Sequence, residues 1–361
     1  MKKPTRKRRE WNARHASSLF RRELNHKLYL KEKNRAGNHP RPDAPRIGNI
    51  NYSESIDFPR IMTLADNFCG VMQALHQLRR YSNRQRNEKA YINFKQIEEI
   101  SPGAALVVAA ELDRLNNIAH RRDGKLRVLD AEQWNDNVRE RLEGMGFFDL
   151  LHVQMGKTKP SDGSGTRYVR FRSSKQVDGK AIEDLRTLDL EPFFPDNVPN
   201  RHRLYAAVTE AMTNVVHHAY QHNGQNVMPH WWLSASHNVQ KGEIRILLYD
   251  QGIGIPKTLP KKFNDYITNF FKFKDPMDAD LIYAAHKLDR SSSKKGHRGH
   301  GLQRDVRQYV KSVDCMSTYR VTSLHGQYTW EKGSDGCPKE SRRNYRRALP
   351  GTLIEWRLTL Q

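Results

Sequence analysis

The apolar run Glu243-Ile-Arg-Ile-Leu-Leu-Tyr249 ends abruptly in the glycine turn Asp250-Gln-Gly252-Ile-Gly254-Ile-Pro256. A short apolar run bounded by turn residues reads as a buried strand. Glycine at 252 and 254 opens backbone angles closed to other residues and lets a flat ligand approach the main chain. Asp250, at the strand end, can accept a hydrogen bond from an exocyclic amine.

Three further blocks surround this junction. In Glu210-Ala-Met-Thr-Asn214-Val-Val-His-His218-Ala-Tyr220, the polar residues Glu210, Asn214 and His218 recur at i, i+4 and i+8 and share one helix face. A carboxylate one turn from a carboxamide suits a magnesium–nucleotide site, because Mg2+ takes oxygen ligands and keeps several waters. Downstream, Gly296-His-Arg-Gly299-His-Gly301-Leu302 precedes the helical pattern Val306, Tyr309, Val310. A glycine-rich turn that opens a helix offers free amides and the positive end of the dipole to phosphates. Lys294, Lys295 and Arg298 stand beside it. Last, Leu349-Pro-Gly351-Thr352-Leu-Ile-Glu-Trp-Arg-Leu-Thr-Leu360 alternates as a half-buried strand.

In this order, over residues 200–361, the four blocks resemble the GHKL ATPase superfamily. The resemblance implies ATP and Mg2+ as cofactors and assigns roles to residues. Asn214 holds the cation through its side-chain oxygen, and Glu210 orients or deprotonates the attacking water. His218 completes that helix face. Asp250 binds the adenine amine at a turn formed by Gly252 and Gly254, and Thr352 joins it. Gly299, Gly301 and Leu302 meet the phosphates. The implied fold is a Bergerat-type α/β sandwich: a mixed sheet with helices over one face, and a long lid running from Lys257 to Arg298.

Earlier in the chain, residues 58–81 carry apolar positions at helical spacing: Ile61, Leu64, Ala65, Phe68, Val71, Met72, Leu75 and Leu78. A strand at 90–94 follows. Ser101-Pro102-Gly103 then opens an apolar helix through Leu115, before a strand at 125–130 and a helix at 135–144. Alternation of this kind argues for helices packed on a sheet. Residues 91–152, with their Gly146-Phe-Phe-Asp-Leu-Leu151 ending, are similar to a STAS domain, the fold of anti-sigma-factor antagonists. Phosphorylated STAS switches carry a serine where this chain has Pro102, so the resemblance implies a scaffold or interaction role. The expected organisation is a basic arm and linker (1–46), a smaller STAS-like α/β domain (47–160), a connector with Pro192, Pro195 and Pro199 (161–199), and the ATP-binding domain (200–361).

Composition limits the setting. No apolar run reaches the ~18 residues of a membrane span, and the N-terminus is basic and polar, so a soluble cytoplasmic protein without membrane contact is expected. Cys69, Cys315 and Cys337 fit neither a disulfide framework nor a zinc motif. His217, His218, His297 and His300 lack the matched cysteines of a zinc site. Three uses of ATP follow. The leading one is a slow or partner-activated ATPase that switches a protein partner, slow because the chain ends just after the closing strand. The others are an anti-sigma-type serine/threonine kinase and a nucleic-acid-binding assembly protein whose ATP site sets conformation. A homodimer is compatible with each.

The net charge of +22 is concentrated: residues 1–46 hold 15 Lys/Arg against 4 Asp/Glu. Phe20, Leu24 and Leu28 recur there at helical spacing. Such an arm is expected to engage a polyanion. Binding of the full chain to duplex DNA should weaken with salt at a log–log slope of about −0.9 per phosphate contact, or about −0.7 on single strands. A chain beginning at Ile47 should lose that salt-dependent part. Equal binding by the two chains in a salt titration would remove the arm from nucleic-acid recognition.

Overall fold

The computed structural model describes residues 55–56, 58–83, 91–120, 127–128, 131–150, 165–175, 199–220, 230–259, 275–287 and 308–360. These belong to one unit, Asn51–Gln361. The basic arm lies outside the described residues.

Its N-terminal part runs β1 (Ser55–Ile56), β2 (Ile61–Met62), α1 (Phe68–Asn83), β3 (Tyr91–Ile92), β4 (Glu99–Ile100), α2 (Pro102–His120), β5 (Arg127–Val128), α3 (Asp136–Gly144) and the single turn α4 (Phe147–Leu150). The strands pair in parallel, as β1-β3-β5 and as β2-β4. Capping explains the helix starts. Ser101 Oγ accepts the Ala104 N–H at 3.3 Å with Pro102 in the first turn, and Asn135 Oδ1 accepts the Asn137 N–H at 3.0 Å. The helix expected over 58–81 begins only at Phe68. Asn67 is the reason: its Nδ2 donates to the Ile61 carbonyl at 2.9 Å and its Oδ1 accepts the Gly70 N–H at 3.2 Å, which caps the helix and releases Ile61–Met62 to a strand.

The C-terminal part comprises β6 (Thr166–Ser174), α5 (Arg201–Asn214) continued by a π turn (Val215–Ala219), β7 (Trp231–Asn238), β8 (Glu243–Asp250), the single turn α6 (Ile255–Thr258), α7 (Asp278–Lys287), α8 (Gln308–Ser312), β9 (Met316–Lys332) and β10 (Pro338–Thr359). Its five strands form a sheet in the order β6-β7-β8-β10-β9. The sequence leads one to expect a mixed sheet, but every described neighbour here is antiparallel. Short turns join β7 to β8 and β9 to β10, and such connections only make antiparallel pairs. Within the expected connector, β6 forms an edge of this sheet. The expected lid loop also contains α7, whose Ala279, Ile282 and His286 are buried against β9 and β10. His286 Nε2 meets the Tyr319 hydroxyl at 2.9 Å, and the Ala279 N–H donates to Asn344 Oδ1 at 3.0 Å.

Both faces of the sheet are covered. Ile244, Ile246 and Leu248 of β8 enter a core with Leu204, Val208, Ala211 and Met212 of α5, Ile282 of α7 and Val310 of α8. Leu247 and Tyr249, pointing the opposite way, join Trp232 and Leu353 in a second core built with α1 and α2. Thus the N-terminal helices serve as the second layer of the C-terminal sheet. Among the described residues, no helix is long and apolar enough to cross a membrane.

A polar contact ties this layer down. The buried Trp232 donates from Nε1 to Asp113 Oδ2 of α2 at 2.8 Å. Trp232→Phe keeps most of the packing and loses that bond, so it should cost roughly 1–3 kcal/mol in urea denaturation. Because the two cores share β8, wild-type unfolding should be a single transition by both fluorescence and circular dichroism.

Candidate functional site

Asp250 ends the central strand β8, with Trp231 of β7 on one side and Thr352 of β10 on the other. Asp250 is only 5% exposed. The Gly252 N–H donates to Oδ1 at 2.7 Å, and Thr352 adds bonds from its hydroxyl and main chain. Burial outweighs these donors and pushes the Asp250 carboxyl up to about 7. A second hydroxyl completes the arrangement. Ser323 Oγ lies 3.0 Å from Thr352 Oγ1, donates to the Gly351 carbonyl at 2.9 Å and accepts the Ile255 N–H at 3.0 Å.

The end of α5 is stapled to this turn. The Ile253 N–H donates to the Ala219 carbonyl at 2.9 Å. Tyr220 accepts the Gln251 N–H at 2.9 Å through its hydroxyl, which donates to the His230 carbonyl at 2.6 Å. Gly252 sits so close to Ala219 that an added Cβ would overlap the Ala219 carbonyl oxygen. Gly254 has φ +86, and a Cβ there would stand 2.9 Å from Ser323 Oγ. Each glycine is therefore required by the close approach of helix end, turn and β9–β10.

Glu210 and Asn214 lie one turn apart on α5, both half-buried. The Asn214 Nδ2 atom is buried with no hydrogen-bond partner among the described residues. An orphan donor of this kind is costly unless something satisfies it. His218 falls beyond Asn214 in the π turn and is exposed, in contrast to the two residues above it. π turns inside helices occur often at functional sites. Gly299, Gly301 and Leu302, together with Lys294, Lys295 and Arg298, lie outside the described residues. Among the described residues, no group of three or more His, Cys, Asp or Glu side chains is arranged to hold a metal ion.

Sequence reasoning missed Ser323, Tyr220 and Gln251, whose roles depend on partners far along the chain. It also passed over Glu111, although a carboxylate between Ala110 and Leu112, inside the apolar run Ala104–Leu112, was a visible signal. Glu111 is 1% exposed, and its carboxylate accepts Gln251 Nε2 at 3.1 Å.

Compared with known proteins, the chain matches no family model and no curated protein.

The Asp250 carboxyl has a measurable signature. Its folded-state value of about 7 lies above the 3.8 of the exposed group, so the native state binds more protons than the unfolded chain between about pH 4 and pH 7. Its contribution to stability is complete below that window and is lost as pH rises through it. Asp250→Asn removes the titration. The variant should gain roughly 1–3 kcal/mol over wild type at pH 8, and distinctly less at pH 5, in paired denaturation curves.

Proposed function

We propose that this protein binds Mg-ATP in the manner of the GHKL superfamily and acts as a slow or partner-activated ATPase, a nucleotide-controlled switch on a protein partner. The observation that carries the reading is the Asp250 carboxyl: buried at the end of the central strand, contacted by Gly252 and Thr352, and raised in pKa by desolvation that these contacts do not offset. A purine amine would add a further donor to it. The same edge of guanine bears a carbonyl oxygen, which a carboxylate repels, so the site favours adenine.

The residues present suit the rest of the ligand. Asn214 would offer its side-chain oxygen to Mg2+, while its orphan Nδ2 would be satisfied by a phosphate oxygen. Bound there, the cation supplies charge neutralisation for the phosphates. Glu210, one turn before Asn214, is the candidate to orient and deprotonate a water. Thr352 of the neighbouring strand, itself bonded to Ser323 of β9, holds the Asp250 carboxyl in place. The N-terminal layer, with its parallel strand pairs and helices α1 and α2, is read as a STAS-like interaction module.

Calorimetric titration separates binding from chemistry. Wild type should bind ATP in preference to GTP, and Asp250→Asn should lose about 1.5–3 kcal/mol of ATP affinity. Glu210→Ala should retain ATP but not turn it over, and Asn214→Ala should lose the magnesium-dependent part of binding. Equal affinity for ATP and GTP in the wild type would overturn the reading.

A further inference from the structure

Three side chains converge on one buried carboxylate. Arg79 of α1 donates from Nε to Glu111 Oε2 at 2.8 Å, and Arg114 of α2 donates from Nε to Oε1 at 3.2 Å. Gln251 donates from Nε2 to Oε2 at 3.1 Å, across 140 residues of chain. Glu111 and Gln251 are 1% and 6% exposed. Placing a charged cluster in a core costs desolvation, and apolar replacements of such clusters are often as stable or more so. Stability alone is therefore a poor reason for this one, and its position supplies another.

Gln251 follows Asp250 directly, and Tyr249 before Asp250 faces the α2 core. The Gln251 side chain reaches Glu111 in that same layer. Its own N–H is held by Tyr220, the Gly252 N–H by Asp250, and the Ile253 N–H by Ala219. Fixing the Gln251 side chain thus fixes the peptide between the base-binding carboxyl and the glycine turn. We propose that Glu111 is a positioning residue for the turn Asp250–Gly254, acting through Gln251, so that nucleotide affinity depends on how α2 is seated on the sheet. This rests on the nucleotide reading of the site. By linkage, any partner that shifts α2 alters nucleotide affinity, and nucleotide alters that partner's affinity by the same factor.

Gln251→Leu is the informative substitution, because Glu111 keeps both arginines and no buried charge is left uncompensated. Gln251→Met serves if the branched side chain prevents folding. Amide hydrogen exchange and calorimetry with ATP and GTP are run on the full chain. In the variant, the Gly252 and Ile253 amides should exchange about tenfold faster, ATP affinity should fall about tenfold, and the preference over GTP should narrow, while the melting temperature stays close to wild type. Unchanged exchange at 252–253 overturns the proposal, and so does faster exchange with undiminished ATP affinity. If wild type binds no nucleotide yet exchange still accelerates in the variant, the anchoring of the turn by Glu111 stands and the nucleotide reading alone falls.

Discussion

A central strand buried on both faces leaves only its ends for chemistry. In β8, Ile244, Ile246 and Leu248 are committed to one core and Leu247 and Tyr249 to the other. Neighbouring strands occupy both edges, so its backbone is satisfied as well. Asp250 is the last residue of the strand, still flanked by both neighbours, and the site gathers around it. Helix α5, the turn 251–254 and β10 all meet there on the same central strand, and β9, paired to β10, reaches the turn through Ser323.

The site's electrostatics follow from that placement. A carboxyl at a strand end surrounded by packed elements is desolvated, and two neighbours give it too few bonds to restore an ordinary acidity. Residues kept in such a state reduce the stability of the folded chain, and groups of this kind concentrate at functional sites. The orphan Asn214 Nδ2 belongs to the same pattern. A desolvated carboxyl at the turn and an unsatisfied donor on α5 therefore stand near one strand end.

The N-terminal helices have two roles at once. They cover the face of the sheet that α5, α7 and α8 leave open, through Trp232, Leu247 and Leu353. They also bring polar groups into that layer, with Asp113 on Trp232 and Glu111 on Gln251. Apolar packing would suffice for cover. The two hydrogen bonds add register, since each is satisfied in only one seating of α2 on the sheet.

Local chemistry was legible in the sequence. The strand before Asp250, the helix through Glu210 and Asn214, the helix opened by Ser101-Pro102 and the closing strand at Thr352 all appear where periodicity and capping put them, because these signals act over a few residues. Tertiary structure alone decided the rest. The later helix start at Phe68 is a local effect of Asn67, whereas the place of β10 between β8 and β9, α7 inside the expected lid and β6 as a sheet edge each depend on a partner far along the chain. The juxtaposition of Ser323 with Thr352 and of Glu111 with Gln251 is of the same kind. A hydrogen bond spanning 140 residues leaves no periodicity to read, and only the packing of two layers on one strand brings its ends together.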